Sequence, residues 1–298
     1  MTILEKKVFG HPRYWTLGEK PDAEDAQLVP DAITEEVLSS MQPEEVVAHV
    51  CEIYNATALE YAANPNNKDI INELIAFMSL LPEGSEVLDL GCAWGRDVFF
   101  MAIDDPEFRK SLMGRKSPDG KTTLDKFRVP EKTFRVTAFD NSLEMLKIAR
   151  GKERELVLKG LFKDAAPPIF TYEDMHNINP WQKFRPFDGV WSCTALFTHT
   201  PKKLLRLVME SVARQLKPGG VLFVNYTNGR ADGRYDKLLL SGTGRIEYFS
   251  QPNPEMIENI AHDYSLWLIR EYTSDMRDKV GNLLKKDLFV SQFYRKYN

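Results

Sequence analysis

The run Val87-Leu88-Asp89-Leu90-Gly91-Cys92-Ala93-Trp94-Gly95-Arg96-Asp97 constrains this chain more than any other stretch. Apolar residues flank a single acid and small residues then recur at alternate positions. That is the pattern of a buried strand that stops, turns sharply and feeds a helix near Arg96. Small side chains at such a turn let the backbone approach a ligand closely. A dinucleotide loop would space its glycines as GxGxxG, with the last at the position of Arg96; here Gly91, Ala93 and Gly95 give GxAxG. Asp89, two residues before the first glycine, would repel a pyrophosphate and suits a cationic ligand. An ordinary strand-to-helix turn uses the same residue types, so the segments downstream of Asp97 decide between the two.

Phe134 to Phe139 alternates apolar residues and ends at Asp140, and Leu143, Leu146 and Ala149 then take helical spacing behind Ser142, a candidate helix cap. An acid at the end of a second strand can accept both hydroxyls of a ribose, or simply cap the turn. Ile169 to Met175 places Asp174 and Met175 after another alternating run, and Asp174 alone reads as a turn residue. The apolar segment Phe187 to Phe197 gives way to Thr198-His199-Thr200-Pro201, a fourth strand and its loop. An amphipathic helix from Pro201 to Leu216, the stop Lys217-Pro218-Gly219-Gly220 and the strand Val221 to Asn225 complete a βαβ crossover.

In this order, the acid with GxAxG, the run Asp140-Asn141-Ser142-Leu143-Glu144-Met145-Leu146, the pair Asp174-Met175 and Leu216-Lys217-Pro218-Gly219-Gly220 resemble the motifs of class I, Rossmann-like S-adenosylmethionine-dependent methyltransferases, over about residues 85–226. The resemblance implies an α/β fold, a doubly wound and mostly parallel seven-stranded sheet with an antiparallel C-terminal strand, helices on both faces and an N-terminal helical cap. It implies that the cofactor's methionine part lies on the loop of Gly91, Cys92, Ala93, Trp94 and Gly95, with Asp89 close by. Asp140 and Asn141 would hold the ribose, Asp174 would accept from the adenine amino group, Met175 would cover the ring, and Ser192 would complete the cofactor site. Ala93 departs from the family's glycine by one methyl group, which fits a negative φ. Tyr54 to Ala62 resembles a Y…A…Y cap sequence that would bring Tyr54 or Tyr61 over the sulfonium; either could equally be core.

Composition sets limits. The chain has 298 residues, 43% of them hydrophobic, enough for one large α/β domain or two small ones. Residues 1–80 read as an arm and helical cap and 81–298 as the cofactor-binding domain, with an insertion at 104–132 and a substrate lid at 227–250. No apolar run approaches the roughly 20 residues of a membrane span, and no signal-like core opens the chain, so the expected place is the cytoplasm. Cys51, Cys92 and Cys193 have neither metal-ligand spacing nor an even count for a disulfide framework, so no metal is expected. Residues 1–50 hold ten acids against four bases, a difference of −6, which argues against a nucleic-acid partner. The 104–132 insertion instead holds eight bases, among them Arg109 and Lys132, against six acids: a solvated excursion, or a clamp for an anionic substrate or RNA. The first 40 residues, with Phe9, Tyr14 and Trp15 among prolines and acids, suggest an irregular arm.

The chemistry expected of such a protein is methyl transfer to an O, N or C atom of a small molecule, a secondary metabolite. His199 is the candidate base, at the mouth of the fourth strand, although a histidine there could also cap the next helix. Trp94, Trp191 or Phe197 could face the cation, Trp191 being better suited to the core. Ser192-Cys193-Thr194-Ala195 stands where amino-methylating enzymes carry NPPY or DPPY, which argues against a planar amine target. Methylation of RNA or protein, and cofactor binding without catalysis, are the alternatives. Arg230-Ala231-Asp232-Gly233-Arg234-Tyr235 resembles a lid phrase of the same family, or is a plain surface loop. A helix at Pro254 to Tyr264, strands at Ser265 to Tyr272 and Asp287 to Tyr294, and a polar loop between them are expected to end the fold.

Overall fold

The computed structural model describes residues 2–9, 27–63, 70–113, 129–162, 166–177, 184–229, 235–240, 245–277 and 283–298. Its large sheet contains β2 (Glu86–Leu90), β3 (Arg135–Asp140), β4 (Ile169–Tyr172), β5 (Phe187–Cys193), β6 (Leu216–Thr227), β9 (Leu266–Arg277) and β10 (Leu283–Lys296), in the order β4-β3-β2-β5-β6-β10-β9. The five strands from β4 to β6 are parallel, and β10 runs antiparallel to both β6 and β9. This is the seven-stranded, mostly parallel sheet that the sequence implies. The two strands at its C-terminal edge are longer than expected: β9 reaches Arg277 and β10 starts at Leu283, inside the stretch read as a polar loop. A hairpin whose ladder is satisfied edge to edge does not need apolar side chains at its tip.

Connections after the strands form α5 (Arg96–Ala102), α6 (Pro106–Met113), α7 (Leu143–Leu158), α8 (Leu205–Gln215) and α9 (Pro254–His262). Ser142 caps α7 as expected, its hydroxyl accepting from the Met145 N–H at 3.2 Å. The interior on one side of the sheet gathers α4 (Ile71–Ser79), α5 and the strand faces around Phe77, Phe99, Phe100 and Trp191; the other gathers α8, α9 and Leu88, Val190, Leu222 and Tyr294. Trp191 is fully buried and stacks on Phe223 at 3.9 Å, and Phe197 meets Tyr226 edge-on, so both serve the core and neither is free to face a cation.

The described residues of the N-terminal region have more regular structure than an irregular arm. It contains α1 (Ile3–Phe9), β1 (Gln27–Leu28), α2 (Asp31–Ser39) and the long α3 (Pro43–Ala63); Tyr14 and Trp15 lie outside the described residues. The lid segment contributes β7 (Asp236–Leu240) and β8 (Ile246–Ser250), a hairpin to which β1 adds a third strand, with Gln27 opposite Leu240 and Leu28 opposite Leu239. A third apolar cluster joins Leu4, Val8, Ile33, Val37 and Val46 to Leu238, Ile246 and Tyr248. His49 of α3 is buried there, its Nε2 2.5 Å from the Ile246 carbonyl, and burial lowers its pKa. Asp232, Gly233 and Arg234 of the lid phrase, like residues 114–128 of the insertion, lie outside the described residues.

Arg109 corrects the picture of the insertion as a basic surface. Its side chain is fully buried, and its guanidinium donates to the carbonyls of Ile103, Pro130 at 2.5 Å and Lys132 at 2.7 Å. It ties the two ends of the insertion to each other, and burial lowers its pKa to about 10. Lys132 also turns inward, donating to the Leu81 carbonyl at 2.8 Å. A planar five-donor fork satisfies several carbonyls at once, which a lysine cannot do.

Candidate active site

The carboxyl ends of β2, β3 and β5 open on a cavity roofed by α3. Its floor is the glycine turn. Gly91 has φ of +75°, and a Cβ placed on it would lie 2.2 Å from the Ala195 Cβ, so only glycine fits. Gly95, at φ +87°, sits against the rings of Phe99 and Phe170 and starts α5. Ala93 does not take the negative φ expected of it: φ is +47°, in the left-handed region that L residues avoid. Its N–H donates to Asp140 Oδ2 at 2.8 Å, which holds it there. Thr194, at φ +49°, is a second left-handed residue on the same cavity, and its N–H donates to the Asn225 carbonyl at 2.8 Å. Two such positions on one cavity wall store strain where a ligand would sit.

Asp140 ends β3 in the cavity wall. Its Oδ1 accepts from the Ser142 N–H at 2.8 Å. Burial pushes its carboxyl up to about 6, and the two backbone donors pull the other way. One backbone N–H on each oxygen leaves each a further lone pair for a ligand hydroxyl. Gly91, Ala93, Asp140, Asn141, Met175, Tyr54, Tyr61 and His199 all line the cavity, as the sequence reading brings them together.

The remaining candidates stand behind that wall. Asp89 is buried in β2; burial first, then the charges of Asp97 and Asp140, hold its carboxyl well above the carboxylate range. Ser192 donates to the Leu90 carbonyl at 2.9 Å and accepts from the Leu196 N–H at 3.1 Å, tying β2 to the loop after β5. Cys92 is buried, and neither Cys92, Trp94 nor Gly95 is among the lining residues. Asp174 faces His176, accepting from its backbone N–H at 2.9 Å and lying 2.8 Å from its Nδ1; burial opposes the carboxylate, but the bonds to His176 prevail and lower its pKa. His176 and Glu173 line the cavity in its place, with Val47, Val50, Phe139, Cys193, Thr194 and Ala195. His176 was legible as the residue next to Met175, and Thr194 as part of the segment that stands in the NPPY position.

His199 lies in the loop between β5 and the 3-10 turn Lys202–Leu204 that precedes α8. The imidazole is buried, with Nε2 2.9 Å from the Tyr54 hydroxyl. Ser250 of β8 donates through its side chain to the Thr200 carbonyl at 2.7 Å and through its N–H to the Thr198 carbonyl at 2.8 Å, so the hairpin holds the loop on both sides of His199.

Residues 120–220 match the family described as a methyltransferase domain, a span that begins after the glycine turn and includes β3, β4 and β5. Solved structures share the fold. The chain is similar to an S-adenosylmethionine-dependent methyltransferase from Methanosarcina mazei, at 17% identity over 78% of this chain and 99% of that one, with a TM-score of 0.53. It is similar to magnesium protoporphyrin IX methyltransferase from Synechocystis with bound S-adenosylmethionine, at 14% identity over 84% and 97% and a TM-score of 0.52. It is also similar to 1,6-didemethyltoxoflavin-N1-methyltransferase from Burkholderia thailandensis with bound 1,6-didemethyltoxoflavin and S-adenosylhomocysteine, at 13% identity over 87% and 92% and a TM-score of 0.54. No curated protein sequence matches the chain.

The sheet order is that of the Rossmann-like methyltransferase fold, and residues 120–220 within it match the methyltransferase-domain family. The cavity suits a cationic ligand. Asp140 and Glu173 are its acids, and no Lys or Arg stands among the described lining residues. Among the described residues there is also no group of three or more metal-ligating side chains, and no helix long and apolar enough to cross a membrane.

Proposed function

We propose that the protein methylates an O, N or C atom of a small molecule, one of secondary metabolism, with His199 serving as base where the acceptor must lose a proton. The observation that carries this reading is the roof. α3 crosses the cavity and bonds to both of its sides: Tyr54 reaches His199, while Cys51 donates to the Asn141 carbonyl at 2.9 Å. A cavity roofed by a helix on the side of Val47, Val50, Tyr54 and Tyr61 suits a cofactor and a compact acceptor better than a polymer. The inward turn of Arg109 and Lys132 removes two of the cations that a nucleic-acid clamp would use. Bound S-adenosylmethionine supplies a methyl group already activated on a positive sulfur.

In this reading, Asp140 and Asn141 orient the ribose, Met175 lies on the adenine, Gly91 and Ala93 allow the methionine part to approach the backbone, and Tyr61 closes over it. Asp89, Cys92, Trp94, Gly95, Asp174 and Ser192 hold this shell in place from behind, and exclusion of water with alignment supplies most of the rate. Residues 1–80 form a cap on the domain of 81–298, and the 227–250 segment, packed against that cap, acts as the acceptor lid. The thiols of Cys51, Cys92 and Cys193, none of them in a disulfide, suit a reducing cytoplasm.

Titration with S-adenosylhomocysteine followed by a structure of the complex tests the assignment. The expected result is micromolar or tighter binding with the ribose on Asp140. Absence of binding would remove the reading. Binding without turnover on any small acceptor, or methylation of RNA or protein instead, would replace it.

A further inference from the structure

His199 does not open directly on the cavity through either ring nitrogen. Its Nδ1 is buried, and the Tyr54 hydroxyl covers Nε2 at 2.9 Å. Tyr54 stands edge-on to the imidazole, with ring centroids 5.3 Å apart, and Phe249 of β8 lies on the imidazole at 5.9 Å. Val50 and Val47 line the same roof one and two turns earlier on α3. A proton leaving the cavity for His199 therefore meets the Tyr54 oxygen first.

We propose that Tyr54 is the catalytic residue that contacts the acceptor, and that it relays the proton of an uncharged phenolic or enolic hydroxyl to His199. The proposal rests on the methyltransferase reading and names its acceptor class. As the acceptor's O–H bond breaks, its proton bonds to the Tyr54 oxygen and the Tyr54 proton moves to Nε2, leaving an imidazolium that later releases it to solvent. The freed electron pair of the acceptor oxygen forms the new bond to the methyl carbon, and the sulfur keeps the pair of the bond that breaks. His199 must enter this step with its proton on Nδ1, so that Nε2 can accept.

The chemistry selects the hydroxyl. A neutral amine has its lone pair available and needs no base before attack. A carboxylate or phosphate would enter a cavity lined by Asp140 and Glu173 and, among the described lining residues, by no Lys or Arg. A phenol, with a pKa of about 10, lies within reach of a histidine acting through a relay, whereas an alkanol holds its proton far more tightly. Valine and phenylalanine walls suit a ring.

The test loads the wild-type protein and the variants Y54F, H199Q and Y54F/H199Q with S-adenosylhomocysteine. Each is titrated with mono- and bicyclic phenols and with the carboxylates and amines of the same rings, and single-turnover methyl transfer from labelled cofactor is measured with the same probes. Phenols are expected to bind at least about tenfold more tightly than their carboxylates, and Y54F to weaken them about tenfold. Y54F and H199Q should each slow transfer about 100-fold, the double variant no further, with S-adenosylhomocysteine affinity changed far less than the rate and the His199 imidazole resonances shifted in Y54F. Preference for carboxylates or amines, an active Y54F beside an inactive H199Q, or no phenol bound by a protein that does bind S-adenosylhomocysteine would overturn the proposal and leave the methyltransferase reading standing. Failure to bind S-adenosylhomocysteine would overturn both.

Discussion

Asn55 on α3 accepts from the Ser142 hydroxyl at 2.8 Å and from the Glu144 N–H at 3.2 Å, so a side chain of the roof caps the helix that comes after Asp140. Tyr54, the preceding residue, reaches His199 on the opposite side of the cavity. Replacing Asn55 by Ala should cost about 1–2 kcal/mol of stability and speed the dissociation of S-adenosylhomocysteine. Asn55→Asp, which keeps the acceptor oxygen, should recover much of both. Urea melts and stopped-flow chase experiments read the two effects separately.

Asp140 makes cofactor affinity depend on pH. Under the proposed ribose assignment its ionised carboxylate accepts two hydroxyls and its protonated form fewer, and burial lifts the carboxyl's pKa to about 6. Affinity for S-adenosylhomocysteine should therefore be full above that pH and decline as pH falls through it. Asp140→Asn should lower the affinity about 10- to 100-fold at neutral pH and flatten the profile. A wild-type affinity constant between pH 5 and 8 would count against the ribose assignment.

Gly91 and Ala93 should respond in opposite directions to a single methyl group. Gly91→Ala places a Cβ on Ala195 at an already left-handed φ, and a loss of about 2 kcal/mol or more is expected. Ala93→Gly relieves φ of +47° and should gain about 0.5–1 kcal/mol, net of the added freedom of the unfolded chain. Paired denaturant titrations decide it.

Arg109→Ala strands three buried carbonyls, those of Ile103, Pro130 and Lys132. A loss of about 3 kcal/mol is expected, and Arg109→Lys, which lacks the planar fork, should recover less than half. Melting temperature checks both, and methyl transfer by the residual folded protein should be little changed.

The order of strand ends was legible because each β2, β3, β5 and β6 segment is a short apolar run closed by turn residues, a pattern that the parallel sheet requires of buried strands. Asp140 and the glycine turn were legible for the same reason. Ala93 was misread because a sequence shows the methyl group but not the N–H that Asp140 anchors. Arg109 looked like one cation among eight, since nothing local reveals that carbonyls 21 and 23 residues downstream converge on it. Tyr54 pointed to the cavity, but its bond to His199 spans 145 residues, and only the tertiary fold supplies it. The pairing of β1 with β7 was equally hidden, two residues being too few to show any period.

That small sheet has a consequence for how the protein is born. β1 and α3 leave the ribosome early, yet Gln27 waits for Leu240 and His49 for Ile246. The Asp140 pocket and the roof's bonds to Asn141, Ser142 and His199 can be made first, but during vectorial synthesis the His49 end of the roof has no brace until the hairpin emerges. A nascent chain arrested before residue 236 should therefore exchange S-adenosylhomocysteine faster than one arrested beyond residue 250.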